Sequence, residues 1–181
     1  MLTINEDVFL NELAEKGIDF STVNVLLVEK LKEKQMKTAT AESCTGGLIS
    51  QKITAVSGSS EVFDCGICSY SNTIKAKVLG VDETVLQTLG AVSSEVAIQM
   101  ADGVKRLAES DVAVSTTGIA GPTGGTPQKP TGLVYIGIAL PERTYCIKAL
   151  FCQTRPNSRE RVRELSATYA LYRLYLELSD E

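Results

Sequence analysis

Thr40-Ala-Glu-Ser-Cys-Thr-Gly-Gly47 places a carboxylate, hydroxyls, a thiol and two glycines in one short stretch. Met36-Lys-Thr-Ala-Thr-Ala41 reads as a β-forming run, and Leu48-Ile-Ser-Gln-Lys-Ile53 as the opening of a helix. Ser43 and Thr45 then fall in a strand-to-helix turn, where unpaired backbone N–H groups stabilise negative charge. A nucleophile at such a turn has an oxyanion hole close by. The chain contains no histidine, so neither a Ser-His-Asp nor a Cys-His arrangement is available. A base that activates Ser43 must be a lysine, a carboxylate or a tyrosine. Cys44 is the rival nucleophile, although buried free cysteines are usually inert. The competing reading of the whole stretch is a helix cap with small residues that allow close packing.

Tyr70-Ser-Asn-Thr-Ile-Lys75 is the second constellation. A strand ends near Tyr70, and Lys75 lies about one turn into the next helix. Both could line a cleft at the sheet edge that carries Ser43. Burial disfavours the charged form of lysine, so a desolvated Lys75 could accept the Ser43 proton. The alternative is a solvated surface lysine, as Lys77 is expected to be. Thr116-Thr-Gly-Ile-Ala-Gly-Pro-Thr-Gly-Gly125 is the third. Exposed N–H groups in such a loop can cradle a phosphate, although the spacing is that of neither a Walker nor a Rossmann fingerprint. The fourth is Arg155, Arg159, Arg161 and Arg163. Arg159 and Arg163 share one face of a helix and would suit a phosphate or carboxylate; ion pairing with Glu160 and Glu164 is the other reading. Cys65-Gly-Ile-Cys68 lacks the further ligands a zinc site needs and lies in a strand, so both cysteines are expected in the core.

The elements that must position these residues alternate. Ile4 to Lys34 carries apolar residues at helical spacing, interrupted at Gly17, with Ser21-Thr22 as a cap for the second helix. A strand is expected over Val62–Tyr70, short helices over Asn72–Leu79 and from Asp82-Glu83 to Gly90, and a longer helix from Ser93 to Ala108. Asp111–Thr117 reads as a strand. Leu133–Leu140 and Thr144–Phe151 pair through Pro141-Glu-Arg143. A terminal helix runs from Ser158 to Leu178. This order implies an α/β fold: a three-layer α/β/α sandwich with a mixed sheet. Residues 1–181 read as one domain, with residues 1–20 as an N-terminal helical extension.

A formal net charge of -4 argues against nucleic-acid binding. No apolar run reaches membrane-spanning length. The five cysteines and the absence of a basic-then-apolar start lead us to expect reduced thiols and a cytoplasmic setting. No metal is expected. The terminal helix is apolar over more than one stripe, through Leu165, Tyr169, Tyr172, Tyr175 and Leu178, which suggests a homo-oligomer unless the N-terminal helices cover it.

Together these segments resemble the CinA C-terminal domain family, the nicotinamide-nucleotide amidohydrolases. The resemblance rests on Thr40–Gly47, Val56-Ser-Gly-Ser-Ser60, Tyr70-Ser-Asn72 with Lys75, Leu79-Gly-Val81, Gly90-Ala-Val-Ser93, Met100-Ala-Asp-Gly103, Thr117-Gly-Ile-Ala-Gly-Pro122, Gly124-Gly125 and Lys129-Pro130. Asn157-Ser158-Arg159 stands where the family usually has Gly-Asp-Arg. The resemblance is to the stand-alone form, without the molybdopterin-binding-like domain of larger members. It implies hydrolysis of the carboxamide of nicotinamide mononucleotide, with a serine nucleophile and a lysine partner and no cofactor. Ser43 and Lys75 would be catalytic. Tyr70 would orient Lys75 or donate to the amide. The nucleotide, as a small-molecule partner, would contact Glu42, Thr45, Gly46, Gly47, Asn72, Thr117, Gly118, Gly121, Gly124, Arg159 and Arg163. Backbone N–H groups of Thr45 and Gly46 would hold the oxyanion. The alternative is a non-catalytic interaction module associated with competence or DNA damage.

Overall fold

In the computed structural model, residues 3–152 and 158–179 are described. The chain begins with β1 (Thr3–Ile4), α1 (Glu6–Glu15), α2 (Val23–Lys34), β2 (Thr38–Glu42) and α3 (Leu48–Thr54). It continues through β3 (Phe63–Cys68), α4 (Asn72–Leu79), α5 (Glu83–Thr88), α6 (Ser94–Ala108) and β4 (Val112–Gly118). It closes with β5 (Leu133–Ala139), β6 (Thr144–Leu150) and α7 (Arg159–Ser179). The strands form one mixed sheet in the order β1-β6-β5-β4-β2-β3. β3, β2 and β4 are parallel, whereas β4, β5 and β6 are antiparallel. One apolar core unites α1, α2, α3 and α7 on one face of the sheet; a second lies under α4, α5 and α6 on the other. The three-layer α/β/α sandwich is as expected.

Local chemistry explains the parts that matter for the site. β2 is buried along its whole length. Ala39 and Ala41 face the α6 layer, where small side chains let the helix approach. Thr40 faces the other way, and its hydroxyl meets Ser50 Oγ at 2.7 Å. α4 starts on Ser71, whose Oγ accepts from Ile74 N. It ends on Gly80, which adopts φ 70° and lets Val81 N reach back to the Lys75 carbonyl. Gly103 of α6 is needed for close approach: a Cβ there would collide with the Leu79 carbonyl at the end of α4.

The N-terminal residues are built into the domain rather than appended to it. Thr3 and Ile4 form a strand beside β6, not part of a helix. Asn5 then caps α1. Thr22 makes no side-chain cap for α2; Asp19 instead caps the 3-10 turn Phe20–Thr22. Cys65 and Cys68 were expected in the core. The strand period puts them on opposite faces, and Cys68 is exposed because β3 is an edge strand. Leu165, Tyr169, Tyr172 and Leu174 of α7 are fully buried, and α1 and α2 pack with them in the same core. The apolar width that suggested a homo-oligomer is therefore covered within the chain.

Candidate active site

The parallel strands β3, β2 and β4 end on one edge of the sheet, and the strand order reverses there. The chain moves outward from β2 to β3, then returns to place β4 on the other side of β2. The crevice outside such carboxyl ends is where open α/β sheets bind ligands. Ser43 is the first residue beyond β2, and its N–H donates to the Thr116 carbonyl at 2.9 Å. Ser69 follows β3 and donates from its N–H to the Glu42 carbonyl at 2.9 Å. The ladder thus continues one step past each strand and holds the two segments side by side.

Lys75 enters this crevice from the first turns of α4. Its side chain is 1% exposed. Nζ lies 2.9 Å from Ser43 Oγ and 2.6 Å from the Ser69 carbonyl, donating to both. No carboxylate pairs with it among the described residues. Burial holds its ammonium below the ordinary lysine range, opposed only by the weaker field of Cys44. In the neutral form one N–H keeps the Ser69 carbonyl, and the lone pair can receive the Ser43 hydroxyl proton. Burial pushes the Cys44 thiol up to about 12, so the rival nucleophile is held as an unreactive thiol.

A cavity of about 270 Å³ opens in front of this pair, lined by Ser43, Cys44, Tyr70, Lys75, Ala91, Val92, the Thr117–Gly121 segment, Thr123, Gly124 and Arg159. No acidic residue lines it. Arg159 Nη1 donates to the Gly121 carbonyl at 3.1 Å and Nη2 to the Tyr70 hydroxyl at 2.9 Å. It has no carboxylate partner among the described residues. Thr117 lines the cavity and also ties its far wall, through Oγ1 to the Ala91 carbonyl at 2.7 Å. Ser43, Lys75, Tyr70, Thr117, Gly118, Gly121, Gly124 and Arg159 are thus brought together from distant parts of the sequence.

Other expected contacts are not in the cavity. Glu42 is fully buried and points into the start of α3. Its Oε2 accepts from Thr45 Oγ1, Gly47 N and Ile49 N, and its Oε1 from Ser50 N and Oγ. With no side chain on the N-cap Gly47, this carboxylate caps the helix from outside. Thr45 is also buried, its hydroxyl between Glu42 and Thr116. Arg163 donates from Nε and Nη2 to the Thr45 carbonyl at 3.1 and 2.7 Å. Glu42, Thr45, Gly46, Gly47 and Arg163 lie outside the set of residues that lines the cavity. These residues shape the turn that presents Ser43. Asn72 lines a separate depression between α4 and α5, because Ser71, not Asn72, is where the chain turns into the helix. No hydrogen bond joins Tyr70 to Lys75 among the described residues; the Ser69 carbonyl holds the amine. Arg161 pairs with Glu6 rather than with Glu160 or Glu164, and Arg155 lies outside the described residues.

Three contributors were not singled out from the sequence. Ser69 acts through a backbone carbonyl, which no residue type advertises. Ala91 and Val92 carry no polar atom in their side chains; the only available signal was the unusual Gly90-Ala-Val-Ser93 loop. Among the described residues, no three His, Cys, Asp or Glu side chains are grouped to hold a metal. Among the described residues, no helix is long and apolar enough to cross a membrane.

The CinA C-terminal domain model matches residues 21–178. A protein of Caldanaerobacter subterraneus, provisionally named as competence-damage inducible, is 48% identical over 161 residues, covering 89% of this chain and 39% of that protein. A CinA-like protein of Kosmotoga olearia is 44% identical, over 86% of this chain and 37% of its own length. The chain thus spans well under half the length of these curated relatives. Among solved structures, competence/damage inducible protein CihA from Agrobacterium tumefaciens superposes with a TM-score of 0.82 at 34% identity, covering 88% of this chain and 95% of that one. The fold, the ordered motifs and the length of the match agree: the chain belongs to the CinA C-terminal domain family.

Proposed function

We propose that this domain hydrolyses the carboxamide of nicotinamide mononucleotide to nicotinic acid mononucleotide and ammonia. The observation that carries the reading is the buried, carboxylate-free Lys75 amine at 2.9 Å from Ser43 Oγ. Ser43 attacks the carboxamide carbon while its proton passes to Lys75. Lys75 then returns that proton to the departing ammonia, leaving an acyl ester on Ser43. Water, deprotonated by the same amine, cleaves the ester, and Lys75 hands that proton to the Ser43 oxygen as the acid is released. In the same cavity, Arg159 and the Gly121–Gly124 segment offer positive charge and close backbone approach to a phosphate.

The relatives' names describe induction with competence or damage, which leaves a non-catalytic interaction module as the second reading. A buried amine with no carboxylate partner among the described residues speaks against it. Such a group destabilises a fold, and a scaffold gains nothing from placing it against a serine.

The test is ammonia release from nicotinamide mononucleotide. Wild-type protein should release it, and Ser43→Ala and Lys75→Ala should each lose about three or more orders of magnitude in turnover. The riboside without phosphate should be a much poorer substrate. Near-wild-type turnover by either variant would sink the mechanism.

A further inference from the structure

The proposed substrate is a zwitterion, and the cavity as described answers only one of its charges. Arg159 and the glycine-rich segment suit the phosphate. The pyridinium ring carries the opposite charge, next to the carboxamide that must reach Ser43. Among the described residues no Asp or Glu lines the cavity to meet that ring. Lys75 is held toward its neutral form by burial, and the Arg159 charge would be offset by the bound phosphate. What the lining does contain is an aromatic side chain, that of Tyr70.

Tyr70 lines the cavity together with Ser43 and Arg159 and is 66% exposed. An exposed tyrosine normally samples several rotamers, which would make it a poor platform. Here its hydroxyl accepts from Arg159 Nη2 at 2.9 Å, and Arg159 is itself held on the Gly121 carbonyl. The ring is therefore steadied from its tip while most of the side chain stays exposed. No ring contact or cation over Tyr70 occurs among the described residues. An aromatic face attracts a cation through its quadrupole, and a bound ring excludes water from that contact and strengthens it.

Building on the proposed amidase reading, we infer that Tyr70 is the residue that recognises the positive charge of the substrate ring, by stacking its face on the pyridinium. Its hydroxyl serves to lock the ring against Arg159 rather than to relay a proton. This makes Tyr70 a specificity residue: it favours oxidised, cationic pyridine nucleotides over uncharged rings that carry the same carboxamide.

Binding separates this role from any effect on chemistry. Calorimetric titrations would use the Ser43→Ala protein, which cannot turn over, with nicotinamide mononucleotide and with its 1,4-dihydro form, whose ring is uncharged. Adding Tyr70→Leu should weaken the cationic ligand about tenfold, in line with a desolvated cation–π contact, and the dihydro ligand much less. Tyr70→Phe keeps the face and should retain most of the preference. Tyr70 is exposed, so these variants should fold. Equal weakening of both ligands by Tyr70→Leu, or equal effects of Leu and Phe, would overturn the inference. If wild-type protein releases no ammonia from nicotinamide mononucleotide, the underlying reading fails; if it does and the charge preference survives Tyr70→Leu, only the role of Tyr70 fails.

Discussion

Lys75 couples stability to chemistry at the scale of a single residue. Burial lowers its folded pKa from an unfolded value of about 10.4. Between the two values the unfolded chain binds the extra proton, so stability rises with pH across that window. Below the folded value both states carry the proton and the penalty is constant. Lys75→Met removes this titration. Relative to wild type, it should therefore gain stability at neutral pH, and that gain should shrink as pH approaches the ordinary lysine range. Urea midpoints over a pH series would show this, and a pH-independent difference would count against a desolvated amine. In the active enzyme, kcat/KM should rise with pH through the same lowered pKa, because only the neutral amine accepts the Ser43 proton.

The element that governs the site is the Ser43–Gly47 turn. Its shape is imposed by partners outside the cavity: Glu42 from below and Arg163 from α7. Glu42 accepts five hydrogen bonds in a fully buried position. Glu42→Gln turns an acceptor oxygen into an NH₂ group facing donors. It should cost about 3 kcal/mol or more in stability and lower kcat more than it raises KM, since the turn carries the nucleophile and not the phosphate contacts. Chemical denaturation and steady-state kinetics on the same variant would check both. A purely substrate-binding Glu42 would leave stability unchanged and raise KM alone. The same reasoning explains why the Arg159/Arg163 pair divides its labour. Helical spacing put both on one face, but one turn of rise separates them, so Arg159 reaches the cavity and Arg163 only the back of the turn.

For the whole molecule, the N-terminal segment closes the α7 layer. Phe9 is fully buried and packs edge-on against Tyr169 at 4.9 Å, with Tyr172 at 5.5 Å and Phe20 at 5.9 Å. Phe9→Ala should cost about 4 kcal/mol, read as a fall in the denaturation midpoint. The uncovered α7 face should then raise self-association above that of wild type, visible by light scattering. An unchanged midpoint would mean that α1 is only loosely attached.

Local pattern was enough for much of this protein. The bounds of α4 and the hairpin β5–β6 were legible because capping serines, terminal glycines and alternating apolar residues act over a few positions. So was the turn bearing Ser43, and the absence of histidine left few partners for it. What no local pattern could decide was where side chains point once distant segments meet. Tyr70 and Arg159 are 89 positions apart, Thr45 and Arg163 118, and Glu6 and Arg161 155. Glu42 looked like a site residue because it adjoins Ser43, yet successive side chains in a strand face opposite ways, and its side chain faces α3. The terminal helix looked unpartnered because its width is visible in sequence, whereas its cover, Phe9 and α2, is chosen by the packing of the whole fold. Residue types and spacing determined which chemistry was possible; only the tertiary structure determined which groups share a cavity, because burial and direction are properties of the packed chain.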